Sequence, residues 1–218
     1  MRYQSLSLAA VVFTCVSAIP SQIAKRDWIN DNNGNLKIYF SEDKIRLGTV
    51  GIDEIIQNIS EKCSTVGTCD TGDISLDGQL IAAGNGAVDD ITVTIHPSGS
   101  YPTWIHNGLI DALHAAVKAV ADCQDVTHKS DCPNPAVYCP TKSTTINECQ
   151  VPRYWGINYQ PSDANPGYAP PNIQADMDME IDSSDFCSTF TAVGSAVAGA
   201  VSGVGGGIFS LLGLFCTN

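Results

Sequence analysis

The cysteines are the residues whose chemistry follows most directly from the sequence. The chain holds nine, and Cys15 lies in an N-terminal segment that we expect to be removed. An even set remains, which in an exported chain is typical of disulfide bonds. The pairing stays open, because eight cysteines allow 105 connectivities. The predicted disulfide cysteines are Cys63, Cys69, Cys123, Cys132, Cys139, Cys149, Cys187 and Cys216.

Metal binding is the alternative chemistry for residues of this kind. No two cysteines have the C-x-x-C spacing of a zinc site. Acidic residues alternate at Asp176, Asp178, Glu180 and Asp182, but no glycine turn shapes them into a calcium loop. An edge strand whose charges discourage pairing between sheets explains this run better. We therefore predict no metal and no cofactor.

Acid–base catalysis is the next chemistry to consider, because His106, Asp111 and His114 fall within one predicted helix. The two histidines are about two turns apart, and Asp111 is rotated away from His106. The sequence has no G-x-S-x-G elbow and no lysine-containing glycine loop for phosphate. Ordinary surface or half-buried histidines account for the pattern, and we predict that the protein is not an enzyme.

An apolar C-terminal segment is the least ordinary feature of the chain. From Cys187 to Cys216 it reads CSTFTAVGSAVAGAVSGVGGGIFSLLGLFC and holds no charged residue. As a helix it is long enough to cross a bilayer core of ~30 Å. Its small residues recur every four positions, which lets helices approach closely in lipid or in a soluble core. The residues predicted to act on a membrane are Gly194, Ala198, Ser202, Gly206, Ile208, Phe209, Leu211 and Leu212.

Three interpretations of this segment remain open. It can insert into a membrane as a helix, or as a helical hairpin bent at the glycines of 205–207. It can be a removable lipid-anchor (GPI) signal cleaved near Ser183-Ser184-Asp185, although the polar spacer of such signals is nearly absent. It can also be an apolar core helix, which must then be covered on every side.

The N-terminus predicts secretion. Residues 1–18 have one basic residue, an apolar run and small residues before a cleavage site after Ala18, as in a signal peptide. Residues 19–26 end in the dibasic pair Lys25-Arg26 and are predicted to be a propeptide. The sequon Asn58-Ile59-Ser60 marks Asn58 for N-glycosylation.

The charge of the chain excludes one class of partner. The formal net charge is −12 at pH 7. Such a polyanion releases no counterions from phosphates, so we predict no nucleic-acid binding. It also avoids anionic membranes at neutral pH, and an acidic medium would relieve its self-repulsion.

The elements predicted from periodicity alternate along the chain. Strands are predicted at 36–40, 73–84, 89–95 and 151–160, and helices at 49–63 and 103–123. This order predicts an α+β fold for residues 27–160. The expected arrangement is a disulfide-linked split β-α-β (ferredoxin-like) sandwich, in which an antiparallel sheet carries both helices on one face.

Two further segments follow this domain. Residues 161–186 are predicted to be a proline-rich linker and an acidic edge strand, and 187–218 to be the apolar glycine-rich helix or hairpin. Tyr154, Trp155 and Tyr159 can form a platform on which sugars stack. Aromatic residues in a strand are, however, more often divided between core and surface.

Together these features resemble the secreted fungal killer toxins. The resemblance lies in GTVGIDEIIQNISEKC through DDITVTI and in the 187–216 segment, and it is strongest to the salt-mediated yeast killer toxin. Smut-virus killer toxins and killer-like effectors are similar more loosely. In the salt-mediated toxin the apolar segment precedes the sheet-rich chain, whereas here it comes last.

The resemblance implies a secreted toxin that damages the membrane of competing or host cells through its apolar segment. The implied partner is a target-cell membrane or surface receptor, with a homo-oligomer in the membrane as one arrangement. The alternatives are a non-toxic secreted effector, a cell-wall binding module and a GPI-anchored surface protein.

Overall fold

A computed structural model describes residues 35–64, 66–81, 88–129, 143–160, 169–179, 181–182, 190–202, 204 and 209–217. The helices are α1 (Ile52–Lys62), α2 (His106–Val120) and α3 (Phe190–Ser202), and a 3-10 turn at Thr103–Ile105 leads into α2. The strands are β1 (Leu36–Ser41), β2 (Lys44–Arg46), β3 (Ile74–Ile81), β4 (Val88–Ser100), β5 (Asp122–Lys129), β6 (Ser143–Pro152), β7 (Tyr154–Tyr159), β8 (Asn172–Asp178), β9 (Ile181–Asp182) and β10 (Leu211–Thr217). The predicted α+β class is confirmed.

Two sheets are formed from these strands. The larger has six strands in the order β10-β1-β7-β8-β4-β3, and the smaller has the order β5-β6-β2-β9. β1 and β10 run parallel, and the other neighbours in the large sheet are antiparallel. The chain passes from β1 to β2 through Glu42-Asp43 and from β6 to β7 through Arg153, so the small sheet continues the large one at one end.

The predicted split β-α-β connectivity is wrong. That connectivity would place β1 beside β4, whereas β7 and β8 lie between them. β8 comes from the segment that was predicted to be a linker and an edge strand. Its residues Ile173, Ala175 and Met177 are fully buried, and this apolar face gives β8 an interior position. The acids of β8 are tolerated there because one face of an antiparallel sheet can remain in water.

β4 also differs from its prediction, which ended it before Pro97. The strand continues to Ser100, and Pro97 pairs with Ala175 of β8. On its other side the ladder with β3 ends at the pair Ile74–Ile95. Beyond that pair β4 has β8 alone as a neighbour among the described strands, and a proline is compatible with a strand side that needs no donor.

The three helices form one layer on the large sheet. α2 lies in the middle and contacts α1, α3, β7 and β8. α1 lies within the helix predicted at 49–63, and its isoleucines at 52, 55, 56 and 59 are buried on one face. It begins after Gly51, and the hydroxyl of Thr49 accepts a hydrogen bond from the backbone N–H of Gln79.

The prediction for the C-terminal segment is half right. Phe190–Ser202 is a helix, but Leu211–Thr217 is a strand at the edge of the large sheet, so the segment is neither one long helix nor a helical hairpin. Val197 and Val201 of α3 are fully buried, and the helix contacts α2 and β10. The sequence LLGLFCT lacks the charges that would keep it out of a core, and the parallel pairing with β1 is a long-range contact that local periodicity does not reveal.

The hairpin of β5 and β6 lies mostly in a region for which periodicity predicts no helix or strand. Its first strand, DCQDVTHK, is polar and has no clear alternation of apolar residues. The pairing places Cys123 opposite Cys149, and these two form a disulfide. Cys63 and Cys69 form another. Cys216 is disulfide-bonded as well.

Loss of the Cys63–Cys69 disulfide is expected to cost about 2 kcal/mol of unfolding free energy. The two cysteines are 6 residues apart, and a loop of that length gives this value in the chain-entropy model. Both are buried, so alanine is the appropriate replacement. Urea denaturation of the Cys63→Ala/Cys69→Ala variant would measure the loss. An unchanged midpoint would show that the unfolded chain is not constrained by this bond.

Candidate functional site

The helices cover one face of the large sheet, and the other is here named the open face. In β1 the buried Leu36, Ile38 and Phe40 alternate with half-buried Lys37 and Tyr39, because successive side chains point to opposite faces. Lys37 and Tyr39 point to the open face, and their register partners on the neighbouring strands point to the same face. The polar and aromatic side chains assigned to the open face include Lys37, Tyr39, Asp73, His96, Ser98, Tyr154, Asn158, Asn172, Gln174, Asp176, Asp178 and Phe215.

A histidine lies between two carboxylates on this face. Nδ1 of His96 is 2.8 Å from Oδ1 of Asp73, and Nε2 is 3.1 Å from Oδ2 of Asp178. The hydrogen bond to Asp73, and then that to Asp178, raises the pKa of His96, while slight burial opposes them. An imidazolium ring donates from both nitrogens, so the protonated form suits this geometry.

Arg153 extends the cluster towards the small sheet. Its Nη2 is 2.8 Å from Oδ1 of Asp178, its Nε donates to the carbonyl of Met177 at 3.0 Å, and Nε is 3.4 Å from Oδ1 of Asp176. The acids of β8 are therefore paired with cations from β4 and from the junction of β6 and β7. This pairing explains why an acidic strand is stable inside the sheet.

Stability is expected to fall as the pH rises through the folded pKa of His96. The pKa is raised above its ordinary value of 6.5, so the folded protein holds this proton more tightly than the unfolded chain does. The stabilisation is complete below about pH 6.5 and is lost above the folded value. It is small, because the imidazole and both carboxylates are largely exposed.

Urea midpoints at about pH 5.5 and pH 8.5, on either side of a histidine titration, would test this expectation. His96→Gln should reduce the difference between the two midpoints, while His114→Gln is the control. His114 also meets a carboxylate, Oδ1 of Asp53 at 2.6 Å, but on the helical layer. A wild-type difference that persists in His96→Gln would show that the cluster does not bind its proton on folding.

Three aromatic side chains lie in adjacent strands of the open face, and we name Phe215, Tyr39 and Tyr154 the aromatic strip. The rings of Tyr39 and Phe215 are stacked, with centroids 5.0 Å apart and planes 21° from parallel. Nζ of Lys37 lies 5.7 Å from the Phe215 centroid, within cation–π distance. Tyr154 follows on β7, next to Gly156, which is the register partner of Tyr39.

Glycine is required at position 156 for the ring of Tyr154 to lie where it does. A Cβ atom there would be 2.8 Å from the Tyr154 hydroxyl oxygen and 3.1 Å from Cε1. That hydroxyl donates to Oε1 of Gln174, and Nε2 of Gln174 donates to Oγ of Ser98, both at 2.8 Å. Burial, followed by the nearby Asp176 and Tyr39, raises the pKa of Tyr154, so the hydroxyl remains a donor.

The aromatic platform predicted from the sequence lies on β7, but only one of its three residues is on the open face. Trp155 and Tyr159 are buried in the core, at 0% and 5% exposure, and Tyr154 alone lies on the open face. The alternation of YWGINY with the central Gly156 was the available signal. Tyr39 lies in the strand predicted at 36–40 and Phe215 in the apolar C-terminal segment, so the sequence connects neither with Tyr154.

The helical histidines and Asp111 do not come together as a catalytic group. His106 is buried, and its Nδ1 is 2.8 Å from Oδ1 of Asn107. Its Nε2 has no hydrogen-bond partner among the residues that the structure describes. His114 and Lys118 instead share Asp53, at 2.6 and 2.7 Å, whose pKa they lower through hydrogen bonds, Lys118 more than His114.

The residues predicted to act on a membrane are distributed over different environments. Gly194 and Ala198 are half-buried and Ser202 is exposed on α3, Phe209 is fully buried, and Leu212 is 40% exposed on β10. Leu211 is half-buried at the start of β10. Within the described residues no helix is long and apolar enough to cross a membrane.

Of the predicted glycosylation and processing residues, the structure describes only Asn58. Asn58 is half-exposed on α1, and its amide donates to the carbonyl of Glu54 at 2.9 Å. Among the side chains that the structure describes, no group of three or more His, Cys, Asp or Glu could hold a metal ion. The predictions that lie outside the described residues are Ala18, Lys25, Arg26, Cys132, Cys139, Cys187, Gly206 and Ile208.

Comparisons of this chain with protein-family models, curated proteins and solved structures found no match.

Proposed function

We propose that the protein is a secreted, disulfide-linked binding module and that the open face is its ligand surface. One observation carries this proposal: exposed and half-buried aromatic and polar side chains are held in place on a sheet face that none of the three described helices covers. Tyr154 is fixed through Gln174 and Ser98, and Tyr39 is stacked on Phe215. Side chains that are ordered before binding lose less entropy when a ligand arrives.

The disulfides and the charge support an extracellular setting for this module. Disulfides persist in oxidising compartments, and Cys63–Cys69, Cys123–Cys149 and the bonded Cys216 are dispersed over the fold. The cluster around His96 favours its protonated form. An acidic extracellular medium is therefore the setting in which the open face keeps its paired arrangement.

Co-sedimentation of the secreted protein with isolated fungal cell walls tests the proposal. We expect retention by walls at about pH 5, where His96 is protonated, and no dye leakage from liposomes at the same pH. Bovine serum albumin, another acidic protein, serves as the control for nonspecific retention. Failure to bind walls or intact cells at any pH would remove the support for a binding module.

A membrane-perturbing toxin is the second candidate, and the position of the apolar segment favours it. α3 contacts α2 and β10, and β10 pairs with β1. The two elements therefore form a unit at one edge of the fold. Acid could release that unit into a lipid bilayer of a competing or host cell. Leakage from liposomes at about pH 4, where carboxylates begin to protonate, would support this candidate.

A removable anchor is the weakest alternative. Cleavage near Ser183 would take away Phe209, Val197 and Val201, which are buried in the core. The intact mass of the secreted protein decides the matter, because a mature chain that ends near Ser183 would require an anchor. A mass that includes Cys216 would exclude that processing.

A further inference from the structure

The aromatic strip offers the kind of surface on which sugar rings stack. Phe215 and Tyr39 are register partners on β10 and β1, and Tyr39 is in turn opposite Gly156, across which Tyr154 lies. Neighbouring strands are about 4.8 Å apart, so the strip extends roughly 10 Å across the sheet. That length accommodates more than one ring of an extended polymer.

Hydrogen-bonding groups border the strip on the same face. Asn158 and Asn172 are register partners in the row next to it, and both are half-exposed. Gln174 and Ser98 continue the row of the strip itself onto β8 and β4. Amides and hydroxyls beside an aromatic surface complement a ligand that has apolar ring faces and hydroxyl edges.

The charges of the protein exclude one kind of carbohydrate. The chain carries a formal net charge of −12, and Asp73, Asp176 and Asp178 lie on the open face itself. A polyanionic glycan would meet repulsion from this field. An uncharged glycan meets none, and the paired cations His96 and Arg153 are not free to attract an anionic one.

We infer that the aromatic strip binds an uncharged carbohydrate polymer, with Tyr39 and Phe215 as stacking residues and Tyr154 beside them. This inference rests on the proposed binding function and gives it a ligand class. It assigns the strip, rather than the charged cluster around His96, as the contact surface.

Binding is tested with soluble β-glucan, chitin oligosaccharides and mannan as uncharged probes, and with polygalacturonate as the anionic probe. Calorimetry with the full secreted chain should detect at least one uncharged probe and no polygalacturonate. Tyr39→Leu and Phe215→Leu should each weaken binding roughly tenfold, the loss expected for about 1.4 kcal/mol of stacking. Tyr39→Phe keeps the ring and should bind nearly as the wild type does.

Trp104→Leu is the matched control. Trp104 has the same 40% exposure as Phe215, but it contacts Tyr159, a core-side residue, at 6.4 Å between ring centroids. Retained binding in Trp104→Leu and Tyr39→Phe, with loss in the two strip variants, supports the inference. Thermal unfolding of each variant separates lost binding from lost folding.

The inference is overturned if no uncharged probe binds, if polygalacturonate alone binds, or if the folded strip variants bind as the wild type does. Retention by cell walls distinguishes failure of the carbohydrate inference from failure of the proposed binding function. A protein that is retained by walls but ignores these probes is a binding module with another ligand. A protein that binds neither fails as a binding module altogether.

Discussion

Phe209→Ala is expected to lower the free energy of unfolding by about 3–5 kcal/mol, the usual cost of truncating a buried phenylalanine. The ring is 1% exposed and packs edge-on to Tyr159, with centroids 6.3 Å apart. Phe209 lies between α3 and β10, so its loss should loosen the C-terminal segment from α2. Urea denaturation measures the loss, and Leu212→Ala, at an exposed position of the same segment, should change stability far less.

The Phe209 ring also packs against Gly108 of α2, at a position that has no room for a larger side chain. A Cβ atom at Gly108 would lie 2.3 Å from Cζ and 2.4 Å from Cε2 of the Phe209 ring. In an exposed helix Gly→Ala stabilises by about 1 kcal/mol, but Gly108→Ala should here cost about 1–3 kcal/mol through overpacking. In the Phe209→Ala background the same substitution should become neutral or stabilising.

That reversal is what a double-mutant cycle measures. Additive effects of Gly108→Ala and Phe209→Ala would show that the ring does not occupy the space above Gly108. The C-terminal segment would then be detached from α2 in solution, and the toxin candidate would gain support. A strong coupling would instead place the segment in the folded core.

Glu148→Ala is expected to cost about 3 kcal/mol, because it leaves a partly buried charge unpaired. Glu148 is 3% exposed. Its Oε2 accepts a hydrogen bond from Nη2 of Arg46 at 2.6 Å, and its Oε1 accepts from the backbone N–H of Ile81 at 2.7 Å. The side chain thus ties β6 of the small sheet to β2 and to the end of β3.

Two variants sharpen this expectation. Glu148→Gln keeps an acceptor for the Ile81 N–H but loses the charge, so its cost should be intermediate. Arg46→Met with Glu148→Leu removes both charges and should recover part of the loss. Glu61→Ala, at an exposed position of α1, is the control. Equal stability of Glu148→Ala and wild type would mean that this carboxylate is solvated rather than buried.

Local sequence determined the elements that have strong periodicity. The isoleucine stripe of α1 and the apolar face of α2 could be read directly, because a helix that buries one face must place apolar residues at its own period. The alternation in β1 and in the middle of β4 identified those strands in the same way. Parity of the cysteines indicated disulfides but not their partners.

The candidate site could be anticipated only in part, since its members come from distant parts of the chain. The sequence predicts Tyr154 as part of an aromatic platform, but it does not identify His96 as a site residue. Nothing local connects Tyr39 with Phe215, which are neighbours only because β10 pairs in parallel with β1. The same applies to Asp73 and Asp178, which meet His96 only after three strands have assembled.

The sequence by itself thus determined the α+β class, the helical faces and the acidic charge, because periodicity and composition act over a few turns of chain. Tertiary structure alone decided the strand order, the interior position of β8 and the division of the apolar segment into α3 and β10. Strand neighbours are selected by long-range burial and register, and these depend on which other faces need to be covered. An uncharged segment such as LLGLFCT suits lipid, a buried helix or a sheet edge equally well until its partner is present.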